Sequence, residues 1–308
     1  MSITEEISNL KEIVENNPDN YTAKRKLAFL YLDEGSLNLA LEQFQSLTNV
    51  FQNDGDLYFN IGIIYEKLKN NKEALVAYTK AVQIEPEEAD YNYNLAFLYD
   101  QIGEVDKAIY LYKKVLTLDP EDANTHFNLG CLLSKTNQSQ SAIAHLRKAV
   151  ELNPNDSYAY FYLAYESKKI GEIVEAVEYY QKVIEINPEY SWAYYNLGCI
   201  YHEEKQYDIA LHYIEQTINI NPNDIEAYKT LVAILLTKNQ LDLAIEQVSQ
   251  ALDENPDLAD LHYVLAKLYI KAKNKEEAIT QYKHALSKHM NLKTPADKIK
   301  QELNKLLD

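Results

Sequence analysis

Apolar residues recur along this chain at two scales. At the short scale, Ile3, Ile7, Leu10 and Val14 step by four and three, which places them on one face of a helix with polar residues between them. Ile299, Leu303, Leu306 and Leu307 form a similar face near the other end, with lysines and polar residues opposite. At the long scale, Leu27, Ile61, Leu95, Leu129, Leu163, Leu197, Leu231 and Leu265 stand 34 residues apart, one apolar anchor per unit of chain. Ala40, Ala74, Ala108, Ala142, Ala176, Ala210, Ala244 and Ala278 keep the same interval of 34 without a gap. A position that never grows beyond a methyl group predicts a close approach of two helices. Each unit is therefore expected to carry two helices, the leucine column on the first and the alanine column on the second.

Punctuation follows the same period. Pro86, Pro120, Pro154, Pro188, Pro222 and Pro256 are 34 apart, Pro18 lies 68 before the first of them, and Gln52 fills the missing slot. Proline lacks an amide hydrogen and drives the residue before it toward extended backbone, so each one predicts the end of a helix. Six of the 7 glycines fall in two columns that step by 68: Gly62, Gly130 and Gly198 beside the leucine column, and Gly35, Gly103 and Gly171 before the second helix. The first column predicts close packing and the second a left-handed helix stop, a series that Asn239 continues. The step of 68 also raises a pair of units as the true period.

These columns resemble the tetratricopeptide repeat, in which Leu, Gly or Ala and Tyr on the first helix precede Ala, an aromatic, Ala and Pro on the second. Tyr58, Ile61, Gly62, Tyr65, Ala74, Tyr78, Ala81 and Pro86 match in one unit; Tyr194, Leu197, Gly198, Tyr201, Ala210 and Pro222 match in another. The resemblance implies an all-α fold, a right-handed superhelical solenoid of antiparallel helix pairs. Repeats begin at Tyr21, Gly55, Ala89, Ala123, Ser157, Ser191, Ile225 and Ala259. We expect a single domain over 1–308: an N-terminal capping helix in 1–20, eight repeats in 21–292, and a C-terminal capping helix in 293–308. Ser2 with Glu5 has capping-box spacing, and Thr294 with Pro295 reads as a helix start.

Composition narrows the function. With 47 acidic against 30 basic side chains and a formal charge of −17, the chain repels polyphosphate and anionic membrane surfaces, so nucleic acid is not an expected partner. The first ten residues lack a basic n-region and an apolar core, and the longest apolar run, Leu231 to Leu236, is far short of a membrane span. A cytoplasmic location without membrane insertion is the expectation. No His-Glu-x-x-His motif or phosphate loop occurs, and His284 and His289 are five apart, so no metal, cofactor or catalytic group is expected. Cys131 and Cys199 occupy the same place in two repeats and are expected to be unbridged groove-lining thiols.

The resemblance also implies that the second, fifth, sixth, ninth, twelfth and thirteenth positions of each repeat line a concave groove. The fifth is aromatic in Phe59, Tyr93, Phe127, Phe161, Tyr195 and Tyr263, and the sixth is asparagine in Asn60, Asn94, Asn128 and Asn196. A carboxamide can donate to a peptide carbonyl and accept from a peptide amide whatever the side chains, which suits an extended chain. A similar ladder characterises the repeat domain of O-linked N-acetylglucosamine transferases; here Tyr162 interrupts it. Across repeats four to six, Tyr158, Phe161, Tyr162, Tyr165, Trp192 and Tyr195 make an aromatic centre, expected to be the main contact area. Two readings of these aromatics stand: contact with a ligand, or packing between neighbouring helices. The carboxylate clamp known for this fold fits poorly, because Phe29 and Asp90 replace an asparagine and a lysine, although Arg25 and Asn60 match.

Charge along the groove is uneven. Arg25 and Lys26 mark the first repeat, Asp56, Asp90, Glu66 and Asp100 the next two, and Lys229, Lys267 and Lys271 the last two. The expected function is a non-enzymatic adaptor or scaffold holding an extended segment of a partner protein. The rivals are assembly through the convex face or the ends, and an accessory subunit of a partner enzyme.

Overall fold

The computed structural model describes residues 3–288 and 292–307, so Ser2 of the expected capping box and His289 lie outside the described residues. Those residues form eighteen α-helices and no strand. The chain divides into two compact units, Met1–Pro154 and Asn155–Asp308. In the first unit, α1 (Ile3–Asn16) precedes the pairs α2 (Tyr21–Glu34) and α3 (Leu37–Thr48), α4 (Gly55–Lys67) and α5 (Asn71–Ile84), α6 (Ala89–Gln101) and α7 (Val105–Leu118), and α8 (Ala123–Lys135) and α9 (Ser139–Leu152). The second unit holds α10 (Ser157–Lys169) and α11 (Ile173–Ile186), α12 (Ser191–Glu203) and α13 (Tyr207–Ile220), α14 (Ile225–Thr237) and α15 (Leu241–Glu254), and α16 (Ala259–Lys271) and α17 (Lys275–Ser287), followed by α18 (Ala296–Leu307). All eight first helices begin at the residues expected from the columns.

The start of a first helix has a simple cause. Asn20, Asp54, Asp122, Asp156 and Asp224 precede their helices and accept a hydrogen bond from an amide of the first turn. Its end is equally regular. Gly35, Lys69, Gly103, Asn137, Gly171, Lys205, Asn239 and Lys273 all hold positive φ, between 58° and 88°. The following amide then reaches back across the last turn, as from Asn70 to the Tyr65 carbonyl and from Gln206 to that of Tyr201, both at 2.8 Å. The conformation thus repeats every 34 residues, and the step of 68 is one of residue type only. The pair of repeats raised by the glycines is not the structural period.

Second helices end as the prolines predict. Glu85, Asp119, Asn153, Asn187, Asn221 and Asn255, each just before a proline, have φ between −127° and −134°. Where Gln52 stands in place of proline, α3 stops two residues earlier in its repeat, at Thr48.

Packing explains the small residues. All eight alanines of the column are 0% exposed, and the leucine column is buried throughout. A Cβ added to Gly130 would lie 2.7 Å from Leu146 and 3.4 Å from the carbonyl of Ala142; one on Gly198 would meet Ile214 at 2.6 Å and the Ala210 carbonyl at 3.4 Å. Glycine on one helix and alanine on the other therefore mark the crossing point of each such pair.

The terminal helices bury part of their apolar faces: Ile7 and Leu10 on α1, Ile299 and Leu303 on α18. Leu307 departs from expectation and is 58% exposed, because Ile299, Leu303 and Leu306 already fill the face that meets the last repeat. Thr294 does not cap α18. Its amide and hydroxyl, with the amide of Lys293, bond instead to the buried carboxylate of Asp260.

Candidate functional site: the face of the first helices

Neighbouring first helices are stitched together by side chains 35 residues apart, one repeat plus one position. In the first unit Tyr91 donates to Asp56 at 2.6 Å, Asn128 to Tyr93 at 2.8 Å, Gln101 to Glu66 at 3.4 Å and Lys135 to Asp100 at 3.3 Å. In the second, Lys168 reaches Glu203 at 3.0 Å. The acids at Asp56, Glu66 and Asp100 are thus tied to the next helix.

The asparagines divide into two kinds. Asn60, Asn94 and Asn196 each donate one amide hydrogen to the carbonyl four residues earlier, at 2.7–2.8 Å, and keep the other hydrogen and carbonyl oxygen for further bonds. Asn128 alone bonds across repeats, to Tyr93.

The aromatic column divides as well. Phe59 stacks on Tyr91 with centroids 4.7 Å apart and tilts against Tyr78 at 5.7 Å; Tyr93 lies 6.5 Å from Phe97 and 5.9 Å from Tyr112. Phe127 is half-buried. These rings pack between helices of the first unit. Tyr263 is covered by α18, bonding Glu302 at 3.2 Å beneath the ammonium of Lys298.

In the second unit the rings open onto a hollow of about 420 Å³, lined by Phe161, Tyr162, Tyr165, Trp192, Tyr195 and Asn196, all named by the sequence columns, and by Tyr190. Its size is that of an ordinary ligand site. Tyr165 and Trp192 expose 46% and 58% of their surface, and Tyr158, whose ring meets Tyr190 edge-on at 5.7 Å, exposes 58%. Phe161 forms the floor, 5.2 Å from Tyr190 and 5.6 Å from Tyr180. The buried hydroxyl of Tyr180 has no hydrogen-bond partner, and burial, with Tyr165, Cys199 and Tyr190 nearby, pushes its pKa up.

Tyr190 was missed because it lies just outside the helix. It stands in the capping column where Asp54, Asp122, Asp156 and Asp224 receive amides and, like Glu88 and Leu258 in that column, makes no cap bond. Its ring lines the hollow instead, at the loss of a cap worth about 1 kcal/mol. Burial, then Tyr158 and Tyr162, push its phenol up to about 12, so it stays a neutral donor.

Most groove charges are paired. Arg25 pairs with Asp54, Lys26 with Glu6, Lys229 with Glu226 and Lys267 with Glu302. The cations read from the sequence are thus largely matched by acids within the fold, as Asp100 is by Lys135, whereas Asp56 and Glu66 are held by the neutral donors Tyr91 and Gln101. Cys131 and Cys199 are half-buried and unbridged, and burial pushes the Cys199 thiol up. Among the described residues no group of three or more His, Cys, Asp or Glu is placed to hold a metal. His126 and His145 meet at 3.0 Å through their Nδ1 atoms, and burial holds the pKa of His145 below its ordinary value. No helix among the described residues is long and apolar enough to cross a membrane.

Comparison with known proteins agrees with this architecture. Tetratricopeptide repeat models match residues 55–88, 77–110, 123–156, 145–178, 179–212 and 235–293, and a TPR repeat model matches 100–137. No curated protein matches the chain. Among solved structures, YrrB, described as a TPR protein with an unusual peptide-binding site, is 27% identical over 60% of this chain and 95% of its own, with a TM-score of 0.56. MamA is 28% identical over 54% of this chain and 97% of its own, with a TM-score of 0.52. The C-terminal part of a TPR repeat-containing protein from Cytophaga hutchinsonii, 17% identical, shares the fold over 74% of this chain and 94% of its own at a TM-score of 0.64. Together the repeat models cover more than half of the sequence, and the chain belongs to the tetratricopeptide repeat family.

Proposed function

We propose that this protein is a non-enzymatic adaptor or scaffold whose first-helix face holds an extended segment of a partner protein. The observation that carries the reading is the hollow of the fifth and sixth repeats, where Tyr165 and Trp192 leave about half of their surface to solvent beside the carboxamide of Asn196. Large exposed aromatics with polar tips, gathered in one concavity, are the usual anchors of protein interfaces. Asn60, Asn94 and Asn196 each retain a donor and an acceptor for a passing backbone. The peptide-binding site named for YrrB supports the same class of ligand.

A second reading rests on a different surface. Val76, Tyr110 and Val174, all on second helices, are 67%, 69% and 70% exposed. Beside Val76, a hollow of about 400 Å³ is bordered by Tyr58, Tyr65 and Lys80. Assembly through that face, including attachment to a partner enzyme, would use these residues and leave the first helices empty.

Affinity capture from source lysate separates the two, with a Tyr165→Ala/Trp192→Ala copy as control and titration of the synthetic segment afterwards. Each truncated anchor should cost about 1–2 kcal/mol, so the double variant should bind at least about thirtyfold more weakly with unchanged melting. Undiminished binding would return the function to the second-helix face.

A further inference from the structure

We infer that the segment held in the hollow of the fifth and sixth repeats is uncharged, proline-rich and in the polyproline II conformation, an inference that rests on the groove reading above. Charge is the first argument. None of the residues lining the hollow is ionised, in a chain of net charge −17, and the nearby groove charges are already closed on each other: Lys168 with Glu203, Lys169 with Glu166, Lys229 with Glu226. A charged side chain entering here would be desolvated against neutral rings without a counterion, a cost that an uncharged segment avoids.

Hydrogen-bonding chemistry is the second. The polar atoms around the hollow include the phenols of Tyr165 and Tyr190, the indole N–H of Trp192 and the carboxamide of Asn196. Each can donate. A polyproline II strand makes no internal hydrogen bonds and leaves every carbonyl available, while its prolines have no N–H to satisfy. Proline rings also lie flat on aromatic faces, and such a strand enters already ordered, so little entropy is lost on docking.

Spacing is the third. A polyproline II helix repeats its face every three residues of about 3.1 Å, roughly 9 Å. The rings of α10 and α12 line one hollow and Lys168 of α10 reaches Glu203 of α12, so a short stretch of ligand can meet both.

Trp192 is the only tryptophan of the chain and lies in the hollow, so its emission reports occupancy directly. The experiment titrates the full chain with decaproline, with a glycine–serine decapeptide, and with an arginine–serine decapeptide in high salt, and then with the captured partner segment. Decaproline should shift Trp192 emission saturably and the other two decapeptides should not. Tyr165→Ala and Tyr190→Asp should each weaken decaproline by about tenfold while melting stays unchanged. If the partner segment shifts Trp192 but decaproline does not, or the arginine peptide binds more tightly, the groove reading survives and the proline assignment is overturned. If neither decaproline nor the partner segment shifts Trp192, both are overturned.

Discussion

Asn128 donates its side-chain amide to the phenolic oxygen of Tyr93 across 2.8 Å, which makes it the one member of the asparagine ladder spent on holding two repeats together. Asn60 and Asn94 donate only within their own helices. Asn128→Ala should therefore lower unfolding free energy by about 1 kcal/mol, whereas Asn60→Ala and Asn94→Ala should change it by less than about 0.5 kcal/mol. Denaturant titration decides this, and a cycle with Tyr93→Phe should show coupling for Asn128 alone.

Tyr190→Asp restores the capping residue that four other repeats use while removing a ring from Phe161 and Tyr158. A regained cap contributes about 1 kcal/mol, and the lost ring contacts are worth about the same. Stability by denaturant titration should thus change by less than about 1 kcal/mol. A loss well above that would mean the ring is placed for packing.

Lys69, Lys205 and Lys273 hold φ of 58–60°, which a side chain disfavours. Changing each to glycine relieves that strain but loosens the unfolded chain, leaving a net gain of about 0.5 kcal/mol or more per site. The triple variant should melt higher than the wild-type protein. Lower melting would mean that the lysine side chains make compensating contacts.

The same residues show what the sequence could and could not disclose. Repeat boundaries were legible because alanine recurs at every crossing of a helix pair and proline follows six of the second helices, with Gln52 in one slot. The left-handed stop was legible at Gly35, Gly103 and Gly171 but not at Lys69 or Lys205, because there the geometry of the helix pair overrides the preference of the residue. Six of the seven residues lining the hollow could be named from their columns. Tyr190 could not, since a loop residue has no column face, and its missing cap bond is shared with Glu88 and Leu258. Bonds between Asn128 and Tyr93 or Lys135 and Asp100 depend on a shift of one position between repeats, which no single repeat reveals.

Acid should act first at the C-terminal end. For Asp260, burial alone would raise the pKa, but the Thr294 hydroxyl and the amides of Lys293 and Thr294 outweigh it and hold the carboxyl below its usual range. Glu302 is held low in the same way: burial would raise it, and Tyr282, Lys267 and Tyr263 overcome that. Because both pKa values are lower folded than unfolded, their contribution is complete above the unfolded values of about 4 and is lost as pH falls through the folded ones. Hydrogen exchange in α18 should accelerate below about pH 4 before that in α10 or α12, and Asp260→Asn should flatten this dependence. Simultaneous exchange throughout would contradict the assignment.

The central claim, that partners are held by the first helices, is tested most directly by site-specific photo-crosslinking. A photoreactive phenylalanine analogue placed at Tyr165 on α10, and in a separate protein at Val174 on α11, samples the two faces from positions that are both well exposed. Irradiation with the captured partner, followed by mass spectrometry, should give adducts from position 165 that fall within one continuous segment of the partner, and none from position 174. Adducts from position 174 without any from position 165 would contradict it.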